Sequence, residues 1–257
     1  MNSSISVPAF TICLDREVER KRYIAQHLSD FNIAFEFSNA VDGRMLSLKQ
    51  KNEVYASKKA ELMRGRKLAD GEIGCFLSHY TIWQEMIKKN IATALVVESD
   101  AVFCRESVTS INALTAGQYD WELVMLYYRE CFPSFWGQER ITPQSKLVRF
   151  ANKCSCTTAY LLTLSGAKKL VEKAMPICLP VDDYMTGGFI NKGIDTFAVY
   201  PRTIHLTEDN EETSTIKQGV NSIKNLTENR RKKIAITKKA EKRVRYFSKQ
   251  LKPGPWL

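Results

Sequence analysis

Ala92-Thr93-Ala94-Leu95-Val96-Val97 runs directly into Glu98-Ser99-Asp100. The first six residues read as a buried strand: a short apolar run rich in β-formers, with no helical period. The run stops on two carboxylates one residue apart, which places both acids at the strand's carboxyl end. Ligands gather at such ends in α/β sheets. Paired carboxylates there suit a hard divalent cation, manganese or magnesium, set against a nucleotide diphosphate. Short acidic pairs also occur in ordinary loops, so the neighbouring elements matter.

Upstream, Cys75 to Lys88 predicts an amphipathic helix, with Phe76, Tyr80, Trp83, Met86 and Ile87 at three- and four-residue spacing. Gly71-Glu72-Ile73-Gly74 reads as a glycine-bounded turn into it, where backbone amides can approach an anion. Ser78 and His79 fall in its first turns, and His79 reads equally well as a hydrogen-bonded helix residue beside the sheet. Ala9 to Leu14 reads as a first strand, Arg16 to Leu28 as a helix, Ile33 to Phe37 as a second strand and Asn39 to Gly43 as a turn. Downstream, Trp121 to Tyr127, Thr158 to Leu164 and Thr196 to Tyr200 read as strands, and Gly166 to Ala174 as a helix. This alternation predicts an α/β fold with a mostly parallel sheet. Pro180-Val181-Asp182-Asp183 opens another apolar stretch; its acids suit either a helix cap or a base facing an acceptor hydroxyl.

The net charge is +10, and residues 224–257 hold twelve Lys and Arg against two acids, Glu228 and Glu241. The rest of the chain is therefore neutral, which argues against a body built to grip nucleic acid. The charge shift near Glu208 to Lys217 divides the chain into a catalytic domain, residues 1–210, and a basic segment, residues 211–257. Within that segment Ile236, Ala240, Val244, Phe247 and Leu251 form one apolar helical stripe flanked by cations, with Trp256 beyond it. A basic amphipathic helix of this kind suits an anionic membrane; it could also pack on the catalytic body. No apolar run is long enough to span a bilayer, and the start reads poorly as a signal peptide. The seven cysteines contain no Cys-x-x-Cys, and Cys154-x-Cys156 lacks the second half of a zinc site. Buried free thiols in a reducing cytoplasm fit this usage.

In order along the chain, Ile12-Cys13-Leu14-Asp15-Arg16 with Arg20, Phe35 to Gly43, the Gly71 to His79 run, the Glu98-Ser99-Asp100 triplet, Thr157 to Tyr160, Gly166 to Leu170 and Pro180 to Asp183 together resemble glycosyltransferase family 25. The resemblance spans roughly Phe10 to His205. It implies a GT-A fold, Rossmann-like, here with a basic helical C-terminal tail. It implies a UDP-sugar donor, usually UDP-galactose, a divalent metal, and inversion to a β linkage on a lipo-oligosaccharide acceptor. Such an enzyme would sit in the cytoplasm, peripheral on the inner face of the membrane. By motif position, Leu14, Arg16, Ala40 and Asp42 are expected at the uridine, and Gly74, Ser78 and His79 near the sugar-diphosphate. Glu98, Ser99 and Asp100 are expected at the phosphates, with Asp100 as main metal ligand and His205 as a further one. Asp183 is the first candidate for general base, and Asp182 the near-equal second. The family's triplet is usually Glu-Asp-Asp, and its opening strand usually has Asn where Cys13 stands. A noncatalytic sugar- or nucleotide-binding relative is the alternative that Ser99 raises; a nucleic-acid-associated protein is the alternative that the tail raises.

Overall fold

The structure, a computed structural model, describes residues 4–134, 136–187 and 193–207. In chain order its elements are β1 (Ala9–Cys13), α1 (Val18–Asp30), β2 (Phe35–Asn39), α2 (Leu48–Val54), α3 (Ser57–Arg64), α4 (Asp70–Lys88), β3 (Thr93–Glu98), β4 (Ala101–Val102), α5 (Arg105–Ala116), β5 (Leu123–Met125), β6 (Glu139–Arg140), β7 (Lys146–Arg149), β8 (Ala159–Thr163), α6 (Leu164–Glu172), α7 (Val181–Thr186), β9 (Thr196–Tyr200) and β10 (His205–Leu206). The fold is α/β, and the basic segment at residues 211–257 lies outside the described residues.

Ala94 to Val97 are fully buried at the middle of an eight-stranded sheet ordered β2-β1-β3-β8-β5-β9-β7-β6. Alternation along β3 sends Ala94 and Val96 into one core and Leu95 and Val97 into the other. The first core packs α4, α6 and α7 on one face of the sheet; the second packs α1 and α5 on the opposite face. The sheet is mixed, which corrects the expectation of a mostly parallel one. β1 runs parallel to β2 and β3, and β5 parallel to β9, but β8 is antiparallel to both β3 and β5, and β7 antiparallel to β9. β8 is buried on both faces, so its sequence is a continuous apolar run whose pattern carries no direction.

The α4 helix begins at Asp70, five residues before the sequence-based start. The Glu72 side chain reaches back to accept the Ala69 N–H at 2.8 Å, and both of its oxygens accept from the Arg66 guanidinium at 2.7 Å. This buried bidentate pair satisfies a helix-end donor and fixes the first turn. The Gly71 to Gly74 run is therefore helical and not a turn. Phe76, Ile82, Trp83 and Met86 are fully buried along the same helix. Truncating Trp83 to Ala is worth about 3–5 kcal/mol on general grounds.

On the opposite face, α1 is tied to the β4–α5 loop by one imidazole. His27 Nε2 accepts the Phe103 N–H at 2.8 Å, and its ring stacks on Tyr23 and meets Phe31 edge-on. Burial lowers the His27 pKa, and Asp30 offsets this only in part. A depressed pKa means that the folded state favours the neutral ring, so its stability contribution is present above the unfolded pKa of about 6.5 and is lost as pH falls through the lower folded value. Urea unfolding should therefore show wild type losing stability between pH 7 and 5.5 by an amount that His27→Gln does not lose. Parallel pH profiles for the two proteins would remove His27 as the group responsible.

No helix among the described residues is long and apolar enough to cross a membrane. All seven cysteines are free; Cys13, Cys154 and Cys178 are buried and the other four partly so.

Candidate active site

The carboxyl ends of β1 and β3, the loop after β2 and the inner face of α4 enclose one cleft. Its walls include Leu14, Arg16, Ala40, Asp42, Ser78, His79, Glu98, Ser99 and Asp100, nine of the ten residues expected at the donor. They come from four separate stretches of chain. The parallel register β2-β1-β3 aligns Asn39 beside Cys13, and Ile12 beside Glu98, so the three strand ends open on the same side.

The tenth residue, Gly74, lies behind the wall. A Cβ built there would meet Val41 O at 2.4 Å and Gly43 N at 2.5 Å, so glycine is needed for α4 to approach the Val41–Gly43 loop. As the fifth residue of the helix its amide belongs to the helical ladder and is not directed at an anion. Ser78 fastens the same loop: its Oγ accepts the Val41 N–H and donates to the Gly74 carbonyl, both at 2.8 Å. Arg16 and Arg44 both pair with Asp42 at the rim, the latter at 3.2 Å. Pairs this exposed contribute about 0–1 kcal/mol, so they shape the rim more than they stabilise the fold.

His79 is fully buried with both ring nitrogens engaged. Trp83 Nε1–H can only donate, and it points to Tyr160 Oη at 3.0 Å. The buried Tyr160 hydroxyl shares a hydrogen bond of 2.9 Å with His79 Nδ1. An ionised carboxylate only accepts, so His79 Nε2–H is the donor to Glu98 Oε1 at 3.1 Å. Thr157 Oγ1 donates to the same oxygen at 2.6 Å. Burial pushes the Glu98 carboxyl up, but the hydrogen bond and charge of His79, and then the Thr157 hydrogen bond, outweigh it and hold the group below the usual carboxylate range. A chain of fixed donors thus clamps Glu98 ionised and oriented. Cys75, His79 and Glu98 each offer a ligand atom within 4.8 Å of the others. With both imidazole nitrogens committed, this trio serves better as a scaffold for Glu98 than as a metal cage.

Asp100 is placed differently. Its Oδ1 is buried and has no hydrogen-bond partner. Burial first, and then the charge of Glu98, push its carboxyl up to about 7, and a hydrogen bond from its own backbone, then Arg20 and Arg129, draw it back only in part. An unpartnered buried carboxylate oxygen beside a second, ionised acid has the chemistry to hold a divalent cation. Ser99 lines the cleft between the two acids, next to Cys13; burial raises the Cys13 thiol and the Ser99 side chain pulls it partly back. His205 is not among the cleft residues: it is exposed on β10, opposite Val102 of β4.

Asp182 and Asp183 open α7, and the fold separates them. Asp183 is buried and held by both Arg64 and Lys153. Asp182 Oδ1 accepts the Asp183 N–H at 2.7 Å and its Oδ2 accepts the Cys156 N–H at 3.1 Å. Burial raises the Asp182 carboxyl, as does the charge of Asp183. Asp182 is not among the cleft residues, but its charge, with those of Glu98 and Asp100, adds to burial in raising the thiol of Cys75, which does line the cleft.

The family model described as "Glycosyltransferase family 25 (LPS biosynthesis protein)" matches residues 7–185. "Procollagen galactosyltransferase 1-A" of Xenopus laevis is 31% identical over 185 residues, covering 68% of this chain and 30% of its own length. "Probable inactive glycosyltransferase 25 family member 3" of Bos taurus is 30% identical over 188 residues, covering 68% and 30% respectively. The chain thus spans about 30% of the length of these curated relatives. Among solved structures, a glycosyltransferase involved in the glycosylation of the major capsid of PBCV-1 overlaps at a TM-score of 0.38 with 11% identity, over 75% of this chain and 80% of that one. The match over residues 7–185 covers every motif of the cleft and both α7 acids, and the chain belongs to glycosyltransferase family 25.

Proposed function

We propose that the chain is an inverting, metal-dependent hexosyltransferase. Its donor is a UDP-hexose, UDP-galactose first, and its acceptor is a terminal sugar of lipo-oligosaccharide, which receives a β linkage. The observation that carries this reading is the acid pair in the cleft: Glu98 clamped and ionised, Asp100 with an orphaned oxygen. The family description names lipopolysaccharide biosynthesis, and one relative's name gives galactose.

Manganese or magnesium would be held by Asp100 with Glu98 beside it, and when bound it supplies neutralisation of the departing diphosphate. Leu14 and Ala40 offer the uracil an apolar wall, and Arg16 and Asp42 offer it a polar rim. Arg20, whose charge reaches Asp100, stands on the diphosphate side of the cleft. Asp182 takes the acceptor proton as the new bond forms. The basic segment at residues 211–257 docks the enzyme on the inner face of the membrane, where a lipid-linked acceptor resides. A noncatalytic binding relative is the second reading, favoured by Ser99 in the triplet and by the inactive relative named above.

Incubating the full chain with a panel of UDP-hexoses, manganese and truncated lipo-oligosaccharides separates the two readings. The expected result is UDP release fastest with UDP-galactose and a β-configured product by NMR. Donor binding without UDP release from any donor–acceptor pair would leave the noncatalytic reading standing.

A further inference from the structure

The segment between β2 and α4 carries a surface that the donor cleft does not use. Residues 44–67 hold eight Lys and Arg against two acids, Glu53 and Glu61. Four of the cations are committed: Arg44 to Asp42, Lys51 to Asp70, Arg64 to Asp183 and Arg66 to Glu72. The exposed Lys49, Lys58, Lys59 and Lys67 have no anionic partner among the described residues. Three long apolar side chains of the same segment stand in solvent: Met45 at 81%, Leu48 at 75% and Leu62 at 87% exposure. On α3, Lys58 and Leu62 are one turn apart on the side away from the buried Ala60.

A single exposed leucine needs no explanation, but three such side chains set among unpaired lysines in one segment do. A nucleic acid would engage the lysines and leave the leucines in water. An apolar protein groove would take the leucines and strip water from the lysines. An anionic bilayer accommodates both, with ammonium groups at the lipid phosphates and apolar tips at the acyl boundary.

We propose that the α2–α3 segment is a docking surface for an anionic membrane, separate from the basic C-terminal segment. Its position suits delivery of a lipid-linked acceptor. Gly43 and Arg44, just before it, line the donor cleft. At its other side, Val54 and Ala56 hydrogen-bond through their backbones to Ile177, at 2.7 and 2.9 Å, just ahead of α7. That benefit rests on the transferase reading; the membrane contact does not, and its test contains no sugar.

The full chain is sedimented with vesicles of phosphatidylcholine, with and without phosphatidylglycerol. Binding is expected only with the anionic lipid. Each near-surface cation strengthens such binding about five-fold, so Lys49→Glu/Lys58→Glu/Lys59→Glu should weaken it by about 100-fold or more. Leu48→Ser/Leu62→Ser should weaken it by about 10-fold. All five positions are exposed, and unchanged circular dichroism checks the fold. In a second arm, a photoreactive phenylalanine analogue at Leu62 is irradiated on native membranes and should label lipid. Undiminished vesicle binding by both variants would assign docking to the C-terminal segment alone, and labelling of protein only would assign the surface to a protein partner; either result overturns the proposal.

Discussion

Asp100→Ala abolishes sugar transfer, by about 10³-fold or more, in a protein that still folds and still has its cleft. The expectation follows from the asymmetry of the two acids. Glu98 is already satisfied, with Oε1 held by His79 and Thr157, whereas Asp100 Oδ1 is buried with nothing to bond. A folded protein retains such an atom at a cost, and a bound cation would remove that cost. Because burial and Glu98 push the Asp100 carboxyl up to about 7, protons would compete with a metal there below that pH. Apparent manganese affinity should rise about ten-fold per pH unit up to pH 7 and then level off. Stability gives a readout free of turnover. A carboxyl whose folded pKa lies above its unfolded value favours the protonated folded state, so metal-free stability falls as pH rises from about 4 through 7. Asp100→Asn removes that fall, so without metal at pH 8 the variant should melt above wild type, and manganese should no longer raise its melting temperature. Full turnover by Asp100→Ala with unchanged manganese dependence would refute the assignment.

The cleft was legible because strand-end residues announce themselves: an apolar run ends and a charge follows. That pattern located Glu98 and Asp100, whereas Leu14, Ala40 and Asp42 were expected from the positions of the family's motifs. What sequence could not supply was partnership. His79 and Ser78 have the residue types of ligand contacts, yet their polar atoms are spent inside the protein, on Tyr160 and Glu98 in one case and on Val41 and Gly74 in the other. Only the packing of α4 against the sheet reveals those partners. The two departures from the family pattern, Cys13 and Ser99, looked unrelated in sequence, 86 positions apart. They sit side by side because β1 pairs with β3. The helices α2, α3 and α5 went unread. α2 buries no side chain and α3 buries only Ala60, so neither has an apolar period to detect. A signal for α2 was present in its capping box, with Ser47 and Gln50 bonding each other's backbone N–H.

Asp182→Asn lowers kcat by about 10²–10⁴-fold while UDP-sugar binding persists, the range expected for loss of a general base. Sequence analogy placed Asp183 first, but the environments of the two acids differ. Asp183 lies between Arg64 and Lys153, two cations that hold its charge and occupy both oxygens. Asp182 keeps lone pairs beyond its two backbone hydrogen bonds, and its carboxyl is raised by burial and by the charge of Asp183. A raised carboxylate is the stronger base, and one whose charge reaches Cys75 in the cleft wall is near enough to serve an acceptor held there. Asp183→Asn should therefore act mainly on the fold. Arg64 and Lys153 lose their common anion, at about 2–3 kcal/mol, less than for a fully buried pair because both cations reach solvent. Two measurements separate the roles. With manganese saturating at every pH, so that Asp100 does not set the profile, the acid limb of kcat/KM against pH should disappear in Asp182→Asn and remain in Asp183→Asn; the urea midpoint should fall in Asp183→Asn and hold in Asp182→Asn. Normal turnover by Asp182→Asn, with turnover lost in a stably folded Asp183→Asn, would move the base to Asp183 and make Arg64 and Lys153 its tuning cations.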